Sequence, residues 1–235
     1  MILQERHSKI IEILKKEHLV NVKYLARKLY VSEATIRRDL RELHSLGIIE
    51  RNHGGAILPN HSTEVSLPIR MVKNAKAKQK IATNALKILP KFNSVFIDSS
   101  STALALAERM DLSFKTVVTN NLQAALQLTK KENVHLIFVG GNIGYGAIST
   151  TGSWTVRQIN EFSFDLMILS CTAIINEEVY ERSLEQREIK LAAFQRSKKR
   201  ILLVDSSKFL AQATYKFADL KSFDFVITEK HYEEE

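Results

Sequence analysis

Six short runs of consecutive apolar residues constrain the fold of this chain more than any other feature of its sequence. The runs are residues 95–97, 116–118, 136–139, 166–169, 201–204 and 225–227, and segments with helical character separate them. A strand that is apolar at successive positions is buried on both faces, so the pattern predicts a largely parallel sheet covered by helices. We therefore predict a Rossmann-like α/β domain over residues 75–235.

Polar residues that directly follow four of these runs predict a ligand site. Ligands of parallel sheets bind beyond the carboxyl ends of the strands. The candidate ligand-binding residues are Asp98, Ser99, Ser100, Ser101, Thr102, Thr119, Asn120, Asn121, Gly140, Gly141 and Lys208. Each stretch taken alone fits a helix cap, a turn or a solvated side chain. Four such stretches, each after a strand, favour a shared pocket.

The residue types in these stretches favour an anionic ligand. Hydroxyl groups collect just before a helix predicted over residues 103–110, and free amides at such a position bind phosphate. Lys208 adds a cation that can hold phosphate as a point charge. Stacked aromatic side chains, which usually bind a free sugar, are absent from these stretches apart from Phe209.

The first 58 residues predict a second, helical domain. Ser32 is a good N-cap for a helix in which Ile36, Leu40 and Leu43 form one apolar stripe. The opposite face and its flanks carry Ala34, Thr35, Arg37, Arg38 and Arg41. Such a face fits the DNA major groove, although a solvated surface helix is the simpler alternative. A shorter helix capped by Asn21 precedes it, and together they form a helix-turn-helix.

A small hairpin, or wing, is predicted around the Gly54-Gly55 turn, which has apolar residues on both sides. Arg51 and His53 lie beside this turn and are expected to reach the DNA backbone or the minor groove. The predicted DNA-binding residues are therefore Ser32, Thr35, Arg37, Arg38, Arg41, Arg51 and His53. Residues 17–20, before the second helix, are predicted to be a break.

An internal ion pair is predicted between Arg6 and Asp39. In the first predicted helix, residues 4–16, Arg6 shares a face with Ile10 and Leu14. Asp39 lies on the core side of its helix, where a carboxylate does not repel DNA phosphates. An exposed Asp39 without a fixed partner is the alternative.

The charge distribution favours a polyanionic partner for the N-terminal part of the chain. Residues 1–58 carry 11 Lys/Arg against 7 Asp/Glu, residues 59–91 carry 7 against 1, and residues 92–235 carry 16 against 18. The whole basic surplus therefore lies within the first 91 residues. We assign residues 59–74 to a linker, and residues 75–89 to a helix stopped by Pro90.

Other classes of protein are poorly supported. No apolar run reaches the length of a membrane span, and the one cysteine, Cys171, excludes an internal disulfide and fits the cytoplasm. Nucleotide-binding glycine loops are absent, and the scattered histidines lack metal-ligand spacing. We therefore predict no metal and no cofactor.

The N-terminal motif resembles that of the DeoR family of bacterial repressors. The resemblance rests on Arg6, Ile10, Leu14, Ser32, Thr35, Ile36, Arg37, Arg38, Asp39, Leu40 and the wing of Arg51, His53, Gly54, Gly55 and Ala56. The four polar stretches resemble the loops of that family's sensor domain, whose fold is similar to ribose-5-phosphate isomerase. Glu188 and Lys190 match polar positions on a later helix of the family.

This chain departs from the family pattern in two places. The family loop usually has glycine where Ser100 stands. Residues 170–173 replace a segment richer in glycine, and the glycine expected near residues 177–179 is absent.

The resemblance implies a repressor of a sugar-catabolism operon whose affinity for operator DNA is controlled by a phosphorylated sugar. We expect a homo-oligomer, a dimer or a tetramer, because one helix-turn-helix reads only a few base pairs. One alternative is a sugar-phosphate isomerase or deaminase with a DNA-binding extension, for which Asp98 or Asp205 would be the base. Another is a DNA-architectural protein without a ligand.

Overall fold

The computed structural model describes residues 3–17, 19–45, 49–52, 55–57, 67–144 and 148–230. The chain divides into two compact units, Met1–Ile69 and Arg70–Glu235. Among the helices within these ranges, none is both long and apolar enough to cross a membrane.

The first unit is a helical domain with a small antiparallel sheet. Its elements are α1 (Leu3–Glu17), β1 (Leu19–Asn21), α2 (Val22–Leu29), α3 (Glu33–Ser45), β2 (Glu50–Asn52) and β3 (Gly55–Ile57), followed by α4 (Leu67–Val72), which crosses into the second unit. The predicted helix-turn-helix is thus α2 and α3. Helix α4 occupies the C-terminal part of the stretch that we assigned to a linker.

The wing has three strands in the order β1-β3-β2. The predicted break between the first two helices is confirmed, since α1 ends at Glu17 and α2 begins at Val22, but the edge strand β1 in this interval was not predicted. Strand β1 pairs with β3, and Gly55 lies opposite Asn21. A Cβ atom on Gly55 would lie 2.3 Å from the carbonyl oxygen of Val20, so this position requires glycine. Gly54 and His53 of the predicted wing lie outside the described residues.

The predicted caps and apolar stripes of the first unit are confirmed. The side chain of Asn21 accepts a hydrogen bond from the Tyr24 amide at 2.8 Å, and that of Ser32 accepts one from the Thr35 amide at 3.1 Å. The central side chains of the core, each at most 1% exposed, are Ile10, Leu14, Leu25, Ile36, Leu40, Leu43, Ile49 and Ala56.

The second unit alternates helices and strands. Its elements are α5 (Ala75–Ile88), β4 (Ser94–Ile97), α6 (Ser101–Ala107), β5 (Thr116–Thr119), α7 (Leu122–Leu128), β6 (His135–Phe138), α8 (Ser153–Asn160), β7 (Phe164–Leu169), β8 (Ala173–Ile175), β9 (Glu178–Glu181), α9 (Leu184–Gln195), β10 (Ser197–Leu203), a 3-10 helix (Ser206–Leu210), β11 (Tyr215–Asp219), a second 3-10 helix (Leu220–Ser222) and β12 (Phe225–Ile227).

The main sheet is parallel, with the strand order β12-β10-β7-β4-β5-β6. Each predicted apolar run forms one of its strands, so the predicted α/β fold is confirmed. Successive residues pack on opposite faces, since Phe96 belongs to one buried cluster and Ile97 to the other. The order reverses between β4 and β7, the position at which ligands of such sheets bind.

A second, antiparallel sheet with the order β11-β9-β8 was not predicted. Its β8–β9 turn contains Asn176 and Glu177 with φ angles of 49° and 61°, in the left-handed region that favours glycine. The carbonyl of Glu177 accepts a hydrogen bond from the Leu220 amide at 2.8 Å, which holds the turn. The family glycine expected here is thus replaced by two residues in a left-handed conformation.

Candidate DNA-binding and effector sites

Helix α3 has the two faces that the sequence predicts. Ile36, Asp39, Leu40 and Leu43 are buried, whereas the other face is exposed at Ala34, Arg37, Arg38 and Arg41. Thr35 is half-buried, and its hydroxyl lies 2.9 Å from that of Ser32. The outward face is therefore small and basic, as a major-groove helix requires.

The arginines of α3 differ in their contacts. Arg37 forms an ion pair with Glu33 at 3.2 Å, and Arg41 donates a hydrogen bond to the Arg37 carbonyl at 3.3 Å. The Arg38 guanidinium bonds no described residue, so all of its donors remain available. Arg51 is exposed on β2.

The predicted pair between Arg6 and Asp39 is confirmed. The guanidinium donates from both Nε and Nη2 to the two carboxylate oxygens, the second bond at 2.8 Å. The pKa of Arg6 is raised, mainly by its hydrogen bond to Asp39. His7 Nε2 lies 3.5 Å from the same carboxylate, whose side chain is 1% exposed. The pair joins α1 to α3 and keeps a negative charge away from the outward face.

In the second unit, Asp98 joins the carboxyl end of β4 to that of β7. Its Oδ2 accepts a hydrogen bond from the Ser170 amide at 3.3 Å and forms an ion pair with Lys190 Nζ at 3.1 Å. Its Oδ1 accepts from the Ser100 amide and hydroxyl at 3.0 and 2.6 Å. Asp98 is fully buried, and both of its carboxylate oxygens contact residues of the protein. It therefore supports the loop and does not present a free carboxylate to a ligand.

Lys190 is the buried counter-ion of this carboxylate, and sequence reasoning left its role open. Besides Asp98, its Nζ donates to Glu181 at 2.5 Å and to the Ser170 carbonyl at 2.6 Å. Burial alone would lower the pKa of Lys190, but the charges of Glu181 and Asp98 outweigh it and raise the pKa. The role of Glu181 was missed, because in β9 it reads as one polar residue of an alternating strand.

Ser100 does not need the family glycine. Its φ of −77° is ordinary extended backbone, and its hydroxyl accepts a hydrogen bond from the Ala103 amide at 3.1 Å. Ser100 therefore caps α6, which begins at Ser101 and not at residue 103 as predicted. Ser101 and Thr102 lie buried in its first turn.

Asn120 and Asn121, after β5, are fully buried, and each uses only part of its amide. Asn120 Nδ2 donates to the Thr150 carbonyl at 2.9 Å, and Asn121 Oδ1 accepts from the first amides of α7. Asn120 Oδ1 and Asn121 Nδ2 have no hydrogen-bond partner among the described residues. Such unsatisfied buried atoms are uncommon and indicate a site for water or ligand.

The remaining predicted residues near these asparagines have structural contacts. The Thr119 hydroxyl donates to the Ile97 carbonyl at 2.7 Å, and the Ser99 hydroxyl to Gln186 at 3.0 Å. Gln186 in turn donates to the Ser149 hydroxyl at 2.8 Å. Through Gln186 of α9, the last two bonds connect the loop after β4 to the segment between β6 and α8.

Gly140 and Gly141 pack against α8. The Gly140 carbonyl accepts hydrogen bonds from Thr155 and Gln158 at 2.8 and 3.0 Å. A Cβ atom on Gly141 would lie 1.9 Å from Thr155 Oγ1, whereas one on Gly140 would meet only ordinary contacts. Close helix packing explains Gly141, and nothing in the structure explains the glycine at 140.

Lys208 lies half-buried in the 3-10 helix after β10. Its ammonium forms no hydrogen bond or ion pair with any described residue. Burial lowers the pKa of Lys208, and the charge of Asp205 partly opposes this. An incompletely paired cation in a partly desolvated position favours an anionic ligand.

Neither Cys171 nor the described acidic and histidine residues indicate a reactive thiol or a metal site. Cys171 is 5% exposed, and its burial raises the pKa of the thiol to about 12, so the thiol stays protonated. Within the described ranges there is no group of three or more potential metal ligands. A groove of about 920 Å³ beside β12 contains none of the predicted ligand-binding residues.

Comparison with known proteins places both units in one family. The DeoR-like helix-turn-helix domain model matches residues 6–62, and the DeoR C terminal sensor domain model matches residues 73–230. The glycerol-3-phosphate regulon repressor of Escherichia coli is 32% identical over 96% of this chain and 90% of its own length. The HTH-type transcriptional regulator GolR of Listeria innocua is 30% identical over 96% and 90%.

Two solved structures are similar to parts of this chain. Ribose 5-phosphate isomerase A of Methanocaldococcus jannaschii has a TM-score of 0.41 and 14% identity, over 58% of this chain and 55% of its own. The eIF2B delta subunit of Chaetomium thermophilum has a TM-score of 0.49 and 14% identity, over 69% and 59%. The family models and the full-length relatives show that this chain belongs to the DeoR family of transcriptional regulators.

Proposed function

We propose that this protein is a repressor of a sugar-catabolism operon, and that a phosphorylated sugar bound beyond the carboxyl edge of the β4–β12 sheet controls its affinity for operator DNA. The relatives named above are transcriptional regulators, and one is named for the glycerol-3-phosphate regulon. They do not favour the alternative of an enzyme. We expect the protein to act in the cytoplasm.

The outward face of α3 supports operator recognition. Arg38 is exposed and bonds no described residue, so it can donate two hydrogen bonds to a guanine. The carboxylate of Asp39 in the same helix is turned inward to Arg6. The carboxylate of Asp39 therefore does not oppose the arginines that the helix presents to DNA. Ser32, Thr35, Arg37 and Arg41 are proposed to hold the neighbouring bases and phosphates.

The half-buried Lys208 is the observation that carries the effector proposal. Its ammonium bonds no described residue. Lys208 follows β10, at the same edge of the sheet where the loops after β4 and β5 begin. On that edge no described residue donates a hydrogen bond to Asn120 Oδ1 or accepts one from Asn121 Nδ2. A ligand with a phosphate and several hydroxyls supplies a negative charge that pairs with Lys208. Its hydroxyls supply the two hydrogen bonds that the asparagines do not form with described residues.

A homo-oligomer is proposed because operator half-sites are read in pairs, about 10 base pairs or a multiple apart. A dimer or a tetramer meets this requirement. Sedimentation of the protein bound to its operator tests it, and a monomer on the operator contradicts it.

The test of the proposed function begins with selection of an operator from random duplex DNA by the full-length protein. Operator binding is then measured with glycerol 3-phosphate, glucose 6-phosphate or ribose 5-phosphate, and with glycerol, glucose or ribose as matched controls. We expect at least one phosphate to change the affinity while its unphosphorylated partner does not. Equal responses to a sugar and its phosphate, or no response to any of the six, would contradict sugar-phosphate control.

A further inference from the structure

The α4–α5 junction, residues 70–74, is bonded to two loops of the candidate effector site. The Ser101 hydroxyl donates to the Arg70 carbonyl at 3.2 Å. The Asn74 amide donates to Asp205 Oδ1 at 3.0 Å and to the Ser207 hydroxyl at 3.1 Å. One of these loops follows β4, and the other follows β10 and carries the incompletely paired lysine of the site.

Asn74 stands at the N-cap position of α5 but does not cap the helix. Its φ of 55° is left-handed, and its side chain accepts no hydrogen bond from the first amides of α5. Asparagine is one of the best capping residues and also tolerates this conformation. Here its amide points instead to the loop after β10, which indicates that the bonds to this loop take the place of the cap.

Lys78 of α5 also bonds the α4–α5 junction. It is 6% exposed, and its ammonium donates to the Lys73 carbonyl at 2.6 Å and to the Arg70 carbonyl. The Arg70 carbonyl is thus shared by the Lys78 ammonium and the Ser101 hydroxyl. If the hydroxyl turns away, the ammonium still satisfies the carbonyl, so loss of this bond leaves no buried acceptor unpaired.

We propose that the α4–α5 junction senses occupancy of the effector site through Ser101 and Asn74 and transmits it to α4. This inference rests on the proposed function, because it specifies how the same site is coupled to DNA binding. Helix α4 spans Leu67–Val72, and the boundary between the two units follows Ile69. A change at the junction therefore acts on the helix in which the chain passes from one unit to the other.

The chemistry of a bound phosphate supplies the difference between the two states. A phosphate oxygen is a stronger hydrogen-bond acceptor than a carbonyl, so an anion held by Lys208 draws the Ser101 hydroxyl away from Arg70. The same anion repels the Asp205 carboxylate, which accepts the bond from Asn74. An effector can shift a conformational equilibrium only by such a differential interaction.

The first test compares Asn74→Gly with Asn84→Ala. Glycine keeps the left-handed backbone and removes both bonds to the loop. Asn84 is the matched control, since it is an α5 asparagine whose amide donates to the Thr228 carbonyl at 3.1 Å. Operator affinity is measured with and without each of the three phosphates named above. We expect the operator affinities measured without and with the active phosphate to differ by a factor of roughly 5 to 150 in the unmodified protein and in Asn84→Ala. In Asn74→Gly this factor should be near 1.

The second test follows the junction directly. Met71 is 39% exposed, and Cys171 is buried with a protonated thiol, so Met71→Cys provides a selectively reactive thiol for an environment-sensitive fluorophore. The phosphate that alters operator binding should change the fluorescence of this labelled variant without DNA. Addition of Asn74→Gly should abolish the change, whereas addition of Asn84→Ala should preserve it.

The outcomes separate the inference from the proposed function. If no phosphate alters operator binding by the unmodified protein, the proposed function fails. If the unmodified protein responds and Asn74→Gly keeps its ratio, the inference is overturned while the proposed function stands. Calorimetry of phosphate binding without DNA should give an affinity for Asn74→Gly within about threefold of the unmodified protein. Complete loss of binding would mean that Asn74 only supports the pocket, which also overturns the inference.

Discussion

Replacement of Arg6 is expected to destabilise the DNA-binding unit more than replacement of Asp39. The pair has two hydrogen bonds between charged groups, and the side chains of Arg6 and Asp39 are 12% and 1% exposed. Removal of one partner of a buried pair costs about 3–5 kcal/mol, because the remaining charge is left without compensation. A guanidinium at the edge of the pair can reach water, whereas the enclosed carboxylate cannot.

We therefore expect Arg6→Met to lower the free energy of unfolding of this unit by about 3–5 kcal/mol, and Asp39→Leu by about 2–3 kcal/mol. The double variant replaces both charges by apolar groups and should cost less than either single change. The difference between the summed single effects and the double effect should be at least about 3 kcal/mol in magnitude, the upper range for residues in direct contact.

Native-state hydrogen exchange is the suitable assay, because a melting curve of the whole chain would mix the unfolding of the two units. Amide protection in peptides from α1 and α3 gives the free energy of unfolding of the DNA-binding unit. Peptides from the parallel sheet serve as an internal control and should not change. Additive single effects, or a larger cost for Asp39→Leu than for Arg6→Met, would refute the reasoning.

Three further predictions concern DNA, effector and pH. Arg38→Ala should reduce the preference for operator over random DNA by about 1–3 kcal/mol, and an equal loss of affinity for both would contradict the role of Arg38. Arg51→Ala should weaken binding to all duplexes alike and reduce the slope of log affinity against log salt concentration by about one. Lys208→Ala should reduce the response to a sugar phosphate in titrations and leave operator binding intact; an unchanged response excludes the phosphate contact. The pKa of Asp165 is lowered to about 2, mainly by a hydrogen bond from Lys198. Because the folded pKa lies below the unfolded one, the ionised carboxylate stabilises the fold above about pH 4, and this stabilisation is lost as the pH falls towards 2. In urea unfolding, Asp165→Asn should reduce the change in unfolding free energy over this pH range by about 1–2 kcal/mol, and an unchanged pH profile would count against the prediction.

The main sheet could be predicted because burial on both faces leaves continuous apolar runs in the sequence. Among the strands that were missed, β1, β9 and β11 lack this pattern. Strand β1 has three residues with only the central one buried, and β9 alternates between buried and half-buried positions. In β11 the register shifts between Lys216 and Ala218. Such strands exist because of their partners, and the partners cannot be inferred from local periodicity.

The positions of the candidate effector residues could be predicted, but their partners could not. Parallel strands bring their carboxyl ends to one edge, so the residues after β4, β5 and β10 had to lie there. The contact between Asp98 and Lys190 joins residues far apart in the sequence, and periodicity gives no information on it. The inward direction of Asp39 was predictable because helical geometry alone determines its face.

The strand order of the main sheet also determines the order in which a growing chain can fold. The DNA-binding unit has its own core within the first 69 residues, so its contacts can form early in synthesis. Central strand β4 lies between β5 and β7, and the β7 side stays unpaired until residue 169 has been made. Strand β12, the last to be synthesised, completes the sheet at one edge. A chain interrupted between these points would carry a completed DNA-binding unit beside an open, apolar strand edge, which is a template for aggregation. Chaperones that bind such incomplete chains would therefore prevent aggregation. They would also prevent DNA binding by chains whose effector site is still incomplete.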